Sequence, residues 1–407
     1  MATLYRDLFA EPGTASFAVA GLLARIPLPM TGIGIITLFS QQQGTYALAG
    51  ALSATFVLAY ALLSPQISRY VDRYGQSRVL PATTAVSLLG FIILIAGSLR
   101  DLDTVFLFAG ALLTGFMPSI SAMVRARWTA LYRAQPRLQT AFSLETVLDE
   151  LTFIIGPPLS IGLSLTLFPQ SGLLLAALLL FTGVFALVRQ RGTEPTTIKD
   201  PAAATGMGSV IRLQSVKRLA LLMVAMGVIV GTIDIVSVAW AEQQGYPAAA
   251  SLILSAYAIG SCLAGLIYGA LTLRIPLSRL LWLGGLATAL STLALILVTH
   301  LTALVVAVLV SGLFFAPTMI VAMALVERQV SEKQVTEGMT WLLAGLNVGV
   351  ALGAATAGQV VDSSGSRAGF YVALAAGVGV LLMALLSHFT LRPSQSPSQA
   401  AHTTGAE

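Results

Sequence analysis

The sequence predicts an all-α, polytopic membrane protein with twelve transmembrane helices in two pseudo-symmetric six-helix bundles. Three observations carry this expectation. Of 407 residues, 56% are hydrophobic and only 10% are charged, whereas a soluble domain is about 25% charged. Apolar runs of about 20 residues, long enough to cross a bilayer as a helix, recur along the chain between short polar breaks. Lys and Arg concentrate in every second break, the pattern that orients membrane helices.

Taken in order, the chain opens on a polar stretch, Met1–Glu11, where no cleavable signal fits. Glu11-Pro-Gly-Thr14 supplies a helix start. The first six spans are expected at roughly 14–39, 45–67, 79–98, 104–123, 143–166 and 172–188. The last six are expected at roughly 219–240, 249–272, 278–299, 301–325, 338–360 and 369–388. With both termini cytoplasmic, the inner breaks hold Arg6; Arg69, Arg73 and Arg78; Arg125, Arg127, Arg133 and Arg137. They also hold Arg189, Arg191, Lys199, Arg212, Lys217 and Arg218; Arg274 and Arg279; Arg328 and Lys333; and Arg392. The other side keeps only Arg100 and Arg367. The net charge of +5 therefore reads as orientation in the inner (plasma) membrane, with the lipid bilayer as partner and no nucleic acid.

The longest polar interval divides the spans six and six. It gives an N-terminal bundle at 1–189, a cytoplasmic linker at 190–218, a C-terminal bundle at 219–390 and a Ser/Gln/Thr-rich tail at 391–407 expected to be disordered. Short repeats at a common offset support the division: Leu52-Ser53-Ala54 returns as Leu254-Ser255-Ala256, and Ala122-Met123 as Ala322-Met323. Gly345, Gly349 and Gly353 recur along the eleventh span, and Ala256, Gly260 and Ala264 along the eighth. Small residues at that spacing let helix backbones approach in lipid. The stripes are either static packing or faces that slide between bundles.

Charges inside spans are costly and need a reason. Arg25 lies near the middle of the first span, followed by Pro27 and Pro29, which predict a bend. It is either a substrate-contacting arginine in a central cavity or a structural one satisfied by a nearby carboxylate or freed carbonyls. In the fifth span Glu145 and Asp149 share a face at i, i+4, while Glu150 is turned about 100° away. Glu145 is expected to pair with Arg125 and Arg127 near the inner surface. Glu150 lies deeper and is the expected proton carrier, or else a fixed partner of an arginine. Asp234 is the one acid deep in the second half, and Asn347 and Thr31 are further polar candidates.

Asp72-Arg73-Tyr74-Gly75, with Arg78 following, resembles the Asp-Arg-x-Gly core between helices 2 and 3 of the major facilitator superfamily of secondary transporters. Ser68 stands at the position of that family's first glycine. Gly156-Pro157 resembles the fifth-helix motif of its drug–proton antiporters, with Ser160 and Ile161 in place of two glycines. The resemblance implies a conformational lock of Asp72, Arg73, Gly75, Arg78, Arg125 and Glu145, with Asp72 against the N-terminus of the eleventh helix. It also implies that Arg25 and Asp234 line one cavity from opposite bundles.

The implied function is secondary transport of a small-molecule substrate, proton-coupled and directed to efflux. The alternatives are proton-coupled uptake, or a receptor or lipid-handling protein on the same scaffold. An enzyme is not expected. The sequence has no nucleotide-binding glycine loop and no nucleophile elbow. Its single cysteine, Cys262, and scattered His300, His388 and His402 suggest neither a metal nor a cofactor.

Overall fold

The computed structural model describes residues 2–43, 46–100, 102–196, 208–245, 249–271 and 275–390. Lys199, Arg274, Arg392, residues 197–207 of the expected linker and the tail from 391 lie outside these described residues. A short helix α1 (Ala2–Asp7) precedes the first span. The N-terminal bundle comprises α2 (Thr14–Arg25), α3 (Pro27–Gln43), α4 (Tyr46–Tyr74), α5 (Gln76–Arg100), α6 (Thr104–Thr114), α7 (Ile120–Tyr132), α8 (Arg137–Thr166) and α9 (Ser171–Arg189). The C-terminal bundle comprises α10 (Gln214–Gln243), α11 (Ala249–Ala270), α12 (Leu277–Ile296), α13 (Leu301–Gln329), α14 (Val335–Ser364) and α15 (Ser366–Thr390). Eleven stretches among the described residues are long and apolar enough to cross a membrane, and α6 is a shorter apolar helix. Together with α7 it completes the expected fourth span.

Two spans are made of two helices each. At Ile26, between α2 and α3, the backbone stays right-handed. Pro27 and Pro29 have no N–H to offer the preceding turn, so the helical ladder lapses there while the path continues. The fourth span breaks at residues 115–119 and then runs on to Tyr132, beyond the expected end. A side chain on Gly115 would place Cβ 2.5 Å from Ala59 Cβ and 2.9 Å from the Tyr60 nitrogen. Glycine there lets α4 press against the break. The extension corrects the placing of Arg125 and Arg127: both are buried within α7 rather than held in a loop.

The basic break expected between the second and third spans, 68–78, is likewise helical except at one residue. Helix runs to Tyr74, resumes at Gln76, and turns on Gly75 alone, at φ 93°. Only glycine adopts that conformation without steric cost.

The glycine stripes resolve as static packing. Cβ atoms at Gly349 and Gly353 would lie 2.1 and 2.3 Å from the carbonyls of Val224 and Val228, and one at Gly231 2.1 Å from that of Val350. Gly260 approaches the Leu309 carbonyl in the same way. These are α10–α14 and α11–α13 contacts, all inside the C-terminal bundle. Between bundles, α8 meets α11 and α13, and α4 meets α14.

Candidate transport site and gate

Three helices assemble a buried ion network in the N-terminal bundle. Glu145 and Asp149 are one turn apart on α8. Ser121, Arg125 and Trp128 follow at i, i+4 and i+7 on α7, and Arg25 comes from the last turn of α2. Arg25 pairs with Glu145 and, through Nη1, with Asp149 Oδ1 at 2.9 Å. Its Nε donates to the Gly21 carbonyl at 3.2 Å. Arg125 Nη2 meets Asp149 Oδ2 at 2.8 Å, Ser121 donates to the same carboxylate, and Trp128 Nε1 donates to Glu145 Oε1 at 2.8 Å. Two cations thus face two anions. The donors of Arg25 meet protein acceptors of the N-terminal bundle, so in this structure it is not paired with Asp234. The expected Arg125–Glu145 pair is replaced by Arg125–Asp149. The i, i+4 spacing placed Asp149 beside Glu145, but only the fold shows that it bridges both arginines.

Arg127, also on α7, turns the other way. It donates to Gln76 Oε1 at 2.7 Å, the Gln190 carbonyl at 2.8 Å, Thr193 at 2.7 Å and the Leu187 carbonyl at 3.1 Å, tying the end of α9 to the start of α5.

A second group of acids has no cationic partner among the described residues. Ser261 on α11 donates to Glu150 Oε1 at 3.0 Å, joining the two bundles at mid-span. Asp234 on α10 makes no hydrogen bond or ion pair with the described residues. Its side chain is exposed. Ser261 carries no sequence motif and was found only through the fold. Asn347 is half-buried on α14, and its amide makes no hydrogen bond among the described residues. Among the described residues, Thr31 bonds its own helix, at the Pro27 carbonyl, 2.7 Å. Gly156 lies at the α3 contact: a Cβ there would come 2.9 Å from Pro29 Cγ. Pro157 follows it inside α8.

At the basic end the bundles are locked together. Asp72 Oδ2 accepts the Glu337 N–H at 2.7 Å and Oδ1 the Thr336 N–H at 3.3 Å, satisfying free donors in the first turn of α14. Ser68 and Thr340 hydroxyls meet at 2.7 Å. Arg133 pairs with Glu327 at 3.2 Å and Glu332 at 3.3 Å. Thr140 donates to the Gly269 carbonyl at 2.7 Å, Gln139 to that of Tyr268 at 2.7 Å, and Tyr5 of α1 to that of Leu266 at 2.9 Å. Glu337 accepts from Ser209, the Val210 N–H and Trp341. Arg73 lies over the Tyr74 ring, 5.2 Å from its centroid, and exposed Arg78 has no ionic partner among the described residues.

Replacing Asp72 with Ala frees two N–H groups, a capping loss of about 0.5–2 kcal/mol. With Cys262→Ser in the background, a cysteine placed at buried Thr340 is expected to react with a maleimide up to about tenfold faster once Asp72 is Ala. An unchanged rate would show that the cap does not hold this end closed.

Comparisons with known proteins agree with this architecture. A family model described as Major Facilitator Superfamily matches residues 16–251 and 231–406. No curated protein matches the sequence. Among solved structures, a bacterial homologue of the iron transporter ferroportin in an outward-facing state aligns with TM-score 0.75 at 14% identity, covering 93% of this chain and 99% of that one. The human organic anion transporter MFSD10 aligns with TM-score 0.69 at 15% identity, covering 93% and 100%. The Escherichia coli fucose:proton symporter aligns with TM-score 0.67 at 12% identity, covering 92% and 98%. At these identities the likeness is one of fold. With a model spanning nearly the whole sequence, this multi-pass membrane protein belongs to the Major Facilitator Superfamily.

Proposed function

We propose that the chain is a proton-coupled secondary transporter that exports a small organic solute across the inner membrane by alternating access. The observation that carries the reading is a charge imbalance. Arg25 and Arg125 are matched by Glu145 and Asp149, while Glu150 and Asp234, on opposite bundles, have no arginine or lysine partner among the described residues. A carboxylate in the membrane interior without a counter-cation is relieved by a proton or by a cationic ligand. Such a group can couple solute movement to proton movement. Glu150 and Asp234 carry the proton, and Asn347 is a further polar contact for solute. Asp72, Gly75 and Arg133 hold the basic end closed.

The positive-inside bias supports placing that end, and both termini, in the cytoplasm. A closed cytoplasmic end, and fold likeness to a structure captured in an outward-facing state, support an outward-facing conformation here. Export rests on the Gly156-Pro157 resemblance.

The test is proteoliposome flux with a pH-sensitive dye inside and a solute panel outside. A substrate is expected to drive proton movement in wild type. Glu150→Gln should lower that movement at least tenfold while unlabelled–labelled solute exchange continues. Solute-driven proton flux unchanged in Glu150→Gln and Asp234→Asn would overturn the coupling. Solute and proton moving in the same direction would replace export with symport.

A further inference from the structure

We propose that the N-terminal arm, residues 5–9, is a strap that holds the basic end closed and sets how often that end opens. The inference goes beyond the transport reading and needs from it only that the bundles part at this end.

The arm is anchored on the N-terminal bundle. Leu8 is fully buried, and Tyr132 of α7 donates its hydroxyl to the Leu8 carbonyl at 2.9 Å. Phe9 meets the Trp128 ring edge-on at 6.1 Å, and Trp128 stacks on Tyr132, one turn along, at 5.8 Å. A helix as short as α1 does not hold itself together, so these contacts are what fix the segment. Gly13, at φ 88°, then turns the chain from the arm into α2.

From that anchor Tyr5 reaches the other bundle. Its hydroxyl donates to the Leu266 carbonyl of α11 at 2.9 Å. The surface of α11 leaves room for it, since a Cβ on Gly269 would lie 2.5 Å from the Tyr5 hydroxyl and 2.4 Å from Ser143 Cβ of α8. Tyr5 therefore lies at the seam between α8 and α11. Here α11 ends, and the last carbonyls of a helix have no donor of their own. The N-terminal bundle supplies donors: Gln139 bonds the Tyr268 and Leu271 carbonyls at 2.7 and 2.9 Å, and Thr140 that of Gly269 at 2.7 Å. One bundle thus caps the end of α11, as Asp72 caps the start of α14.

Tyr5 differs from the other members of this lock in where it stands. Gln139 and Thr140 belong to α8 and Asp72 to α4, so they leave only when a span moves. Tyr5 stands on a peripheral arm docked through Leu8 and Phe9, which can undock while every span stays in place. Its donor and acceptor are on different bundles, so the bond is made only while the basic end is closed. A contact made in one of two conformations shifts the equilibrium between them by its own free energy. The arm thus tunes opening without belonging to the framework that moves.

The test reads opening as the maleimide reaction rate of Thr340→Cys in the purified full chain with Cys262→Ser, Thr340 being buried at the closed end. Tyr5→Phe removes the hydroxyl alone and is expected to raise the rate about two- to tenfold, the range one net hydrogen bond supplies. Leu8→Ala undocks the arm and should raise it at least as much. Adding Tyr5→Phe to Leu8→Ala should then change little, because both act through one contact. Arg6→Ala, exposed on the same arm, should leave the rate as in wild type. Thr292→Cys, buried inside the C-terminal bundle, reports unfolding and should react no faster in any of these variants.

An unchanged rate in Tyr5→Phe, additive effects of Tyr5→Phe and Leu8→Ala, or equal acceleration at Thr292→Cys overturns the inference. Asp72→Ala in the same assay separates this failure from failure of the closed-end reading. If Asp72→Ala speeds the reaction and Tyr5→Phe does not, only the strap falls. If neither does, the hydrogen bonds across the basic end do not hold it closed, and both fall.

Discussion

Replacing Asp149 with Ala is expected to destabilise the protein by about 3–5 kcal/mol, the cost of leaving a buried charge without its partner. Arg125 is fully buried and would keep only the Ser121 carbonyl and Thr146 Oγ1, both at 3.4 Å. Arg25 would keep Glu145 but lose its contact at 2.9 Å. The measurement is the apparent unfolding temperature in detergent. A second variant makes the attribution specific: Arg125→Met with Asp149→Leu removes both members of the pair. Well-packed apolar replacements of a buried pair are often neutral, so most of the lost stability should return. If Asp149→Ala unfolds like wild type, the network is not holding α2, α7 and α8 together.

Gly349→Leu is expected to be worse, because what it displaces is backbone. Even a Cβ at this position would lie 2.1 Å from the Val224 carbonyl and 3.0 Å from Gly227 Cα. Overpacking typically costs about 1–3 kcal/mol when side chains can shift, but here α10 and α14 must separate along their length. Loss of the folded, monodisperse protein on size-exclusion chromatography is the expected readout. Gly358→Ala on the same helix is the control, since nothing lies within 4 Å of its Cβ position. Equal tolerance of both changes would contradict the α10–α14 packing.

The architecture was legible because its causes are local. Hydropathy over about 20 residues sets each span, and Lys/Arg placement sets their alternation. Gly75 could be placed between the second and third helices because it closes the Asp-Arg-x-Gly core. The lengths of the helices were less legible. Polarity marks where lipid ends, whereas a helix continues until its backbone is interrupted, so α4 and α7 carry Arg73 and Arg127 beyond the apolar runs. Small-residue stripes told of close approach but not of the partner. Their assignment to contacts within one bundle needed the tertiary arrangement.

The site was half legible for the same reason. Arg25, Glu145, Glu150 and Asp234 stood out because charge in a span needs explaining. Which charges meet depends on helix rotation and crossing, and these gave Arg25 to Glu145 and Asp149, leaving Glu150 with Ser261.

Alternating access is most directly tested by distances between spin labels across the basic end. In a Cys262→Ser background, labels at Tyr70→Cys on α4 and Gln329→Cys on α13 report on that end from exposed positions in opposite bundles. A second pair, Phe168→Cys and Leu252→Cys, reports on the other end. A short basic-end distance is expected in this conformation. On changing pH or adding substrate, a longer population should appear there as the second pair shortens. A single basic-end distance that stays the same across pH and solutes would contradict a rocking-bundle transporter.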